Sequence, residues 1–186
     1  MNDIARAVQQ WVQSVIIDLN LCPFAKHEFI NNRVRFSVTD ATSDEQLLIA
    51  LQDELKLLND DLSIETTLLI HPQVLKNFYD YNQFLSCVDA LLSELELEGV
   101  YQVASFHPDY QFAESGQNVA ENYTNRSPYP LLHILREESL EQAIANYGDV
   151  EQIPVRNIAI MNSLGEEKMK ALLHACFDIE HKDHVH

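Results

Sequence analysis

Glycine is scarce in this chain. There are four in 186 residues, at 99, 116, 148 and 165, none close to another. Neither a G-x-x-x-x-G-K-[ST] loop nor a G-x-G-x-x-G fingerprint can be written from them, so nucleotide binding by those two routes is excluded. Basic residues are few as well: 12 Lys and Arg against 29 Asp and Glu, a formal charge of −17. From Asp40 to Glu98 the only bases are Lys56 and Lys76, against thirteen acids. Nucleic-acid binding draws its affinity from phosphate neutralisation, and this field opposes it. No apolar run reaches the about 18 residues of a membrane helix. The N-terminus lacks the basic and apolar regions of a signal peptide, so a cytoplasmic location is expected. Cysteine is limited to Cys22, Cys87 and Cys176, with no C-x-x-C spacing. Neither a zinc ribbon nor a thioredoxin motif is present, and the thiols are expected to be reduced. H-E-x-x-H and the glycine setting of a nucleophile elbow are missing too.

The elements that remain are legible from periodicity. Ile4, Val8, Trp11, Val15 and Leu19 repeat at helical steps, predicting a helix over 3–19 that Pro23 closes off. Val34, Phe36 and Val38 alternate with polar neighbours, the pattern of a half-buried strand. Thr42-Ser-Asp-Glu45 reads as a capping box for a helix carrying Leu47, Leu51, Leu55 and Leu58 on one face. Residues 64–70 read as a covered strand ending at His71-Pro72, and residues 100–106 as a strand ending at His107-Pro108. Between them a helix running from Val74 to Leu95, with Gly99 as its cap, is expected. A fourth strand is predicted at 131–136, then helices at 139–147, 156–164 and 166–177. The order implies an α/β fold, with α+β as the alternative: a small mixed sheet of about four strands with helices packed on it. Residues 1–177 read as one domain and 178–186 as a frayed polar tail.

Residues 108–130 lack a clear period. A structureless stretch that long is uncommon in a compact domain and is usually functional or disordered. Its aromatic and Asn-rich composition is not that of disorder. At its borders stand the candidates for chemistry. His71 and His107 end two strands; if those strands are parallel neighbours, both rings sit at the carboxyl edge, where open α/β sheets place ligands. His133 shares a strand face with Leu131 and Leu135 and comes back toward His107 if the strand returns antiparallel. These histidines can act as acid–base groups, with His107 and His71 as metal ligands; zinc or iron would suit a His and Cys set. Cys22, in the loop after the first helix, is a nucleophile or soft ligand if a cation lowers its pKa, and otherwise a small core filler. Arg126 is suited to hold an anionic substrate through its planar donor fork, with Asn125, Tyr110 and Tyr129 as further walls of the site. The bland alternative is that Arg126 and the rings only fasten the loop.

The strings LNLCPFA (19–25), TTLLIHP (66–72), VASFHPDYQF (103–112) and NYTNRSPYPLLHILRE (122–137) carry a resemblance. Through LCPFA, SFHPDYQF and NRSPYPLLHxLRE the chain resembles a widespread family of uncharacterised bacterial proteins with plastid relatives, catalogued as a domain of unknown function. The likeness spans about residues 3–177. It implies a single soluble domain and assigns no catalytic residue.

Two functional expectations follow. The favoured one is a small-molecule enzyme, its reaction class open, with a His-centred site at the sheet edge under the 108–130 loop: His107, His133 and Cys22 catalytic, Arg126 binding an anion. The other is a non-catalytic module using the aromatic loop to bind a protein or ligand. The enzyme predicts that His71, His107 and His133 share one side of one sheet with Arg126 above them.

Overall fold

Strand alternation builds the centre of the molecule. A computed structural model describes residues 2–113 and 115–178. Four strands, β1 (Val34–Val38), β2 (Thr66–Ile70), β3 (Tyr101–Phe106) and β4 (Leu131–Arg136), form one mixed sheet in the order β1-β2-β4-β3. β1 lies parallel to β2, while β4 is antiparallel to both β2 and β3. The two His-Pro strands therefore run in the same direction but are not neighbours, because β4 is inserted between them. All five residues of β2 are buried, as a covered strand requires.

Period-two alternation splits the sheet into two faces. Leu69, Leu132, Ile134 and Tyr101 pack under α3 (Asp44–Asp60) and α4 (Phe78–Glu94). Leu68, Ile70 and Leu131 pack on the opposite face under the N-terminal helix and the C-terminal helices. The α3 stripe of Leu47, Leu51, Leu55 and Leu58 is fully buried, and each leucine contributes roughly 1.5–3 kcal/mol. Glu54 on that helix is also buried. Its carboxylate accepts two bonds from Arg35, at 2.8 and 3.0 Å, and one from Ser37 at 2.7 Å, so the charge is fully compensated.

Several local expectations shift. The first helix is α-helical only over Asp3–Trp11 (α1) and continues as a π-helix over Val12–Ile17. A short helix α2 (Ala25–Ile30), which has no periodic signature, follows the Pro23 turn. The α3 cap is Ser43, whose hydroxyl accepts from the Gln46 amide at 3.3 Å, one residue later than the Thr42 expectation. α4 begins at Phe78, not Val74: the Asn77 side chain accepts from the Tyr79 amide at 2.9 Å and caps it. Gly99 does not cap α4, which ends at Glu94; it sits at φ +76° in the turn before β3. β4 runs without a loop into α5 (Glu137–Tyr147), followed by α6 (Gln152–Leu164) and α7 (Glu166–Ala175). No helix among the described residues is long and apolar enough to cross a membrane. The polar tail expected at 178–186 lies, apart from Asp178, outside the described residues.

Candidate functional site

The two His-Pro histidines meet at one edge and on one face of the sheet, as expected. Their rings flank Tyr81, His71 stacked on it at 5.7 Å and His107 tilted at 5.1 Å. What they hold is backbone. His71 Nδ1 bonds the Val74 carbonyl at 3.0 Å and His107 Nε2 bonds the Leu75 carbonyl at 3.2 Å. Carbonyls only accept, so both nitrogens carry the proton. His107 Nδ1 in turn accepts from the Asp109 amide at 3.0 Å. Between the two anchors Leu75 stands at φ +54°, a left-handed conformation costing about 1–2 kcal/mol for a non-glycine residue. The histidines thus clamp a strained turn. Burial drives His71 down to about 4 and also lowers His107, so both are neutral hydrogen-bonding rings. Both nitrogens of His107 are engaged, and among the described residues no three His, Cys, Asp or Glu side chains are grouped to hold a metal. The zinc or iron centre expected at His107 and His71 has no ligand set there.

The long loop is tied to itself. Asn122, completely buried, accepts from the Phe112 amide (3.1 Å) and the Ser115 hydroxyl (2.6 Å), and donates to the carbonyls of Gly116 (2.8 Å) and Gln117 (3.3 Å). Arg126 donates to the Tyr110 carbonyl at 3.1 Å and the Gln117 carbonyl at 2.8 Å, with its guanidinium 4.6 Å over the Tyr123 ring. It fastens the loop through two carbonyls and a ring. Asn125 spans back to the Ser105 carbonyl at 3.1 Å. Tyr110 leans on Phe78 at 5.1 Å, and Tyr129 packs edge-on against Phe177 at 5.6 Å.

His133 stands apart from the other two histidines. Its position in β4 places it on the opposite face, with Leu131, so the three-histidine convergence does not form. On that face the sheet, the π-helix, α5 and α6 border a half-open cavity of about 540 Å³, within the usual range of ligand pockets of about 300–1,000 Å³. Its wall is mostly apolar: Trp11, Ile16, Leu68, Phe106, Phe112 and Leu140. Trp11 and Phe106 meet edge-to-face at 5.3 Å. Trp11 ends α1 and Val12 begins the π-helix, and both line the wall; π turns recur at functional sites. Cys22, His133 and Asn125 also line this cavity, so three of the expected site residues do share one space, on the sheet face and not at its edge.

The polar atoms in that wall are unusual in what they lack. His133 Nε2 lies 2.8 Å from the Thr66 hydroxyl, which donates to the Ile134 carbonyl at 2.6 Å. Thr66 has one proton and spends it on Ile134, so His133 Nε2 must be the donor and Nδ1 the bare acceptor. His133 is enclosed by protein, yet keeps accessible surface because that surface faces the cavity. Burial pushes it down to about 4, so Nδ1 stays unprotonated at neutral pH. Trp11 Nε1 is buried with no hydrogen-bond partner among the described residues. So is Asn157 Oδ1, since its amide Nδ2 must face the Leu21 carbonyl at 2.8 Å. Buried polar atoms without partners are rare in folded proteins. Cys22, also raised by burial, is a neutral thiol. Sequence reasoning did not identify Thr66, Trp11 or Asn157. Trp11 carried one signal, as the only tryptophan. The other two emerge only from strand register and the placement of α6.

A model of a family of proteins of unknown function, DUF1415, matches residues 3–171. The chain belongs to the DUF1415 family. Comparison with curated proteins and with solved structures returned no significant match. For this DUF1415 chain the functional reading therefore rests on the cavity's own chemistry.

Proposed function

We propose that the chain is an enzyme acting on a small, mostly apolar molecule bound in the cavity between the sheet and helices α5 and α6, with His133 taking a proton from it. One observation carries the reading: His133, with Nε2 committed to Thr66, keeps accessible surface on an apolar cavity, and its Nδ1 has no partner among the described residues. A pocket lined by apolar groups with a few placed polar atoms is the usual form of a ligand site. Thr66 steadies the His133 ring as an orienting group steadies a general base. The earlier expectation of an anionic substrate held by Arg126 gives way, because Arg126 does not line the cavity. A cytoplasmic location belongs to the same reading and is supported by three free cysteines.

A second reading, a non-catalytic carrier, is favoured by the same wall, because most of the side chains that line it are apolar and its two carboxylates, Glu28 and Glu65, are paired to Arg33. Two measurements separate these readings and test both. Saturable quenching or enhancement of Trp11 fluorescence by small apolar ligands, lost in Ala143→Phe, is expected for either. Incubating a metabolite extract with wild type and with His133→Phe then divides them. The enzyme consumes a compound that the variant leaves intact; a carrier retains one unchanged. An indifferent Trp11 signal across a broad ligand set would overturn both.

A further inference from the structure

We infer that the ligand of this cavity is a neutral hydrophobe bearing a hydroxyl, such as a phenol, whose O–H donates to His133 Nδ1; this rests on the cavity being a ligand site, as proposed above. The hydrogen-bond relay fixes the direction. The Ile134 carbonyl accepts from Thr66, Thr66 accepts from His133 Nε2, and so Nδ1 presents a lone pair to the cavity. A ligand hydroxyl meets that lone pair with its one proton, and its oxygen is left to accept from water at the cavity mouth.

Charge on the wall argues against an anion. The carboxylates that line it, Glu28 and Glu65, are both paired to Arg33. The Arg136 guanidinium donates to the Leu58 and Ile64 carbonyls and the Tyr101 hydroxyl, Leu58 lying in the last turn of α3. Those donors are already taken, and a carboxylate beside His133 would meet the lone pair of Nδ1. The apolar remainder of the wall, with Trp11 and Phe106 edge-to-face, accepts an aromatic or branched aliphatic body.

The test is calorimetric titration of the full chain with four probes of one shape: 4-butylphenol, 4-butylanisole, 4-butylbenzoate and 4-butylbenzylamine. The phenol should bind about tenfold or more tightly than the anisole, the effect of leaving one buried acceptor unpaired. Benzoate and benzylamine should bind more weakly than the phenol. In His133→Phe the preference for phenol over anisole should fall to about one, with anisole binding retained. Thr66→Val, which frees Nε2 and lets the tautomer change, should reduce the preference several-fold and serves if His133→Phe does not fold. Equal binding of phenol and anisole to wild type would overturn the hydroxyl assignment and leave the ligand site standing. Tightest binding by benzoate or benzylamine would overturn neutrality. Absence of binding by all four would overturn the ligand-site reading itself.

Discussion

Asn122→Ala should loosen the 108–130 loop and destabilise the whole chain. The side chain makes four hydrogen bonds, two accepted and two donated, and is completely buried. Each is worth about 0.5–1.5 kcal/mol net, and the partners of a truncated residue stay desolvated unless water reaches them. Several of those partners lie in a surface loop that can rehydrate, so the expected loss is about 2–4 kcal/mol and not the full sum. Asn122→Asp keeps both acceptor functions, loses the two donors and buries a charge, so it should cost at least as much. Urea denaturation gives the loss as a midpoint shift at unchanged slope, and amide exchange at Phe112 reports the loop locally. Because Phe112, Thr124 and Asn125 form one wall of the cavity, ligand affinity should fall with loop order. A loss under about 1 kcal/mol with Phe112 still protected would refute the idea that Asn122 organises the loop.

Acid should destabilise the protein through its buried histidines. His71 and His133 are held near 4 by burial against an ordinary value of 6.5, so the unfolded chain binds protons first. Their contribution is complete above pH 6.5 and is lost as pH falls toward 4, by up to about 3 kcal/mol for His71 alone. Urea midpoints from pH 7 to 4.5 should fall less steeply in His71→Asn; identical slopes would show that His71 does not titrate on unfolding. Arg126→Lys should cost about 1–3 kcal/mol by removing the fork between Tyr110 and Gln117. Any fall in affinity for a cavity ligand should follow the loss of stability, and a variant of normal stability with lost affinity would return Arg126 to the binding site.

Sequence pattern carried the architecture further than the site. Alternation and helical steps located all four strands, because each face of the sheet is buried and the pattern records it. Strand order was less accessible. Whether β4 lies beside or between the His-Pro strands depends on long-range packing that no local period encodes. His133 shows the consequence. Its face was readable from Leu131 and Leu135, but the faces of His71 and His107 follow from residues one step past their strands, and these turned the other way. Arg126 and Asn122 illustrate a different gap. Their side chains bond loop carbonyls whose positions exist only once the loop has folded. The cavity depends on the π turn after Trp11 and on α5, none of whose residues is buried. Neither leaves a mark in a hydropathy pattern.

The most direct test of the ligand site is a crystal structure of the wild-type chain soaked with 4-butylphenol. The expected result is one molecule in the cavity, its ring near Trp11 and Phe106 and its oxygen about 2.8 Å from His133 Nδ1. A cavity closed by repacked side chains, or the phenol bound only on the outer surface, would contradict the account.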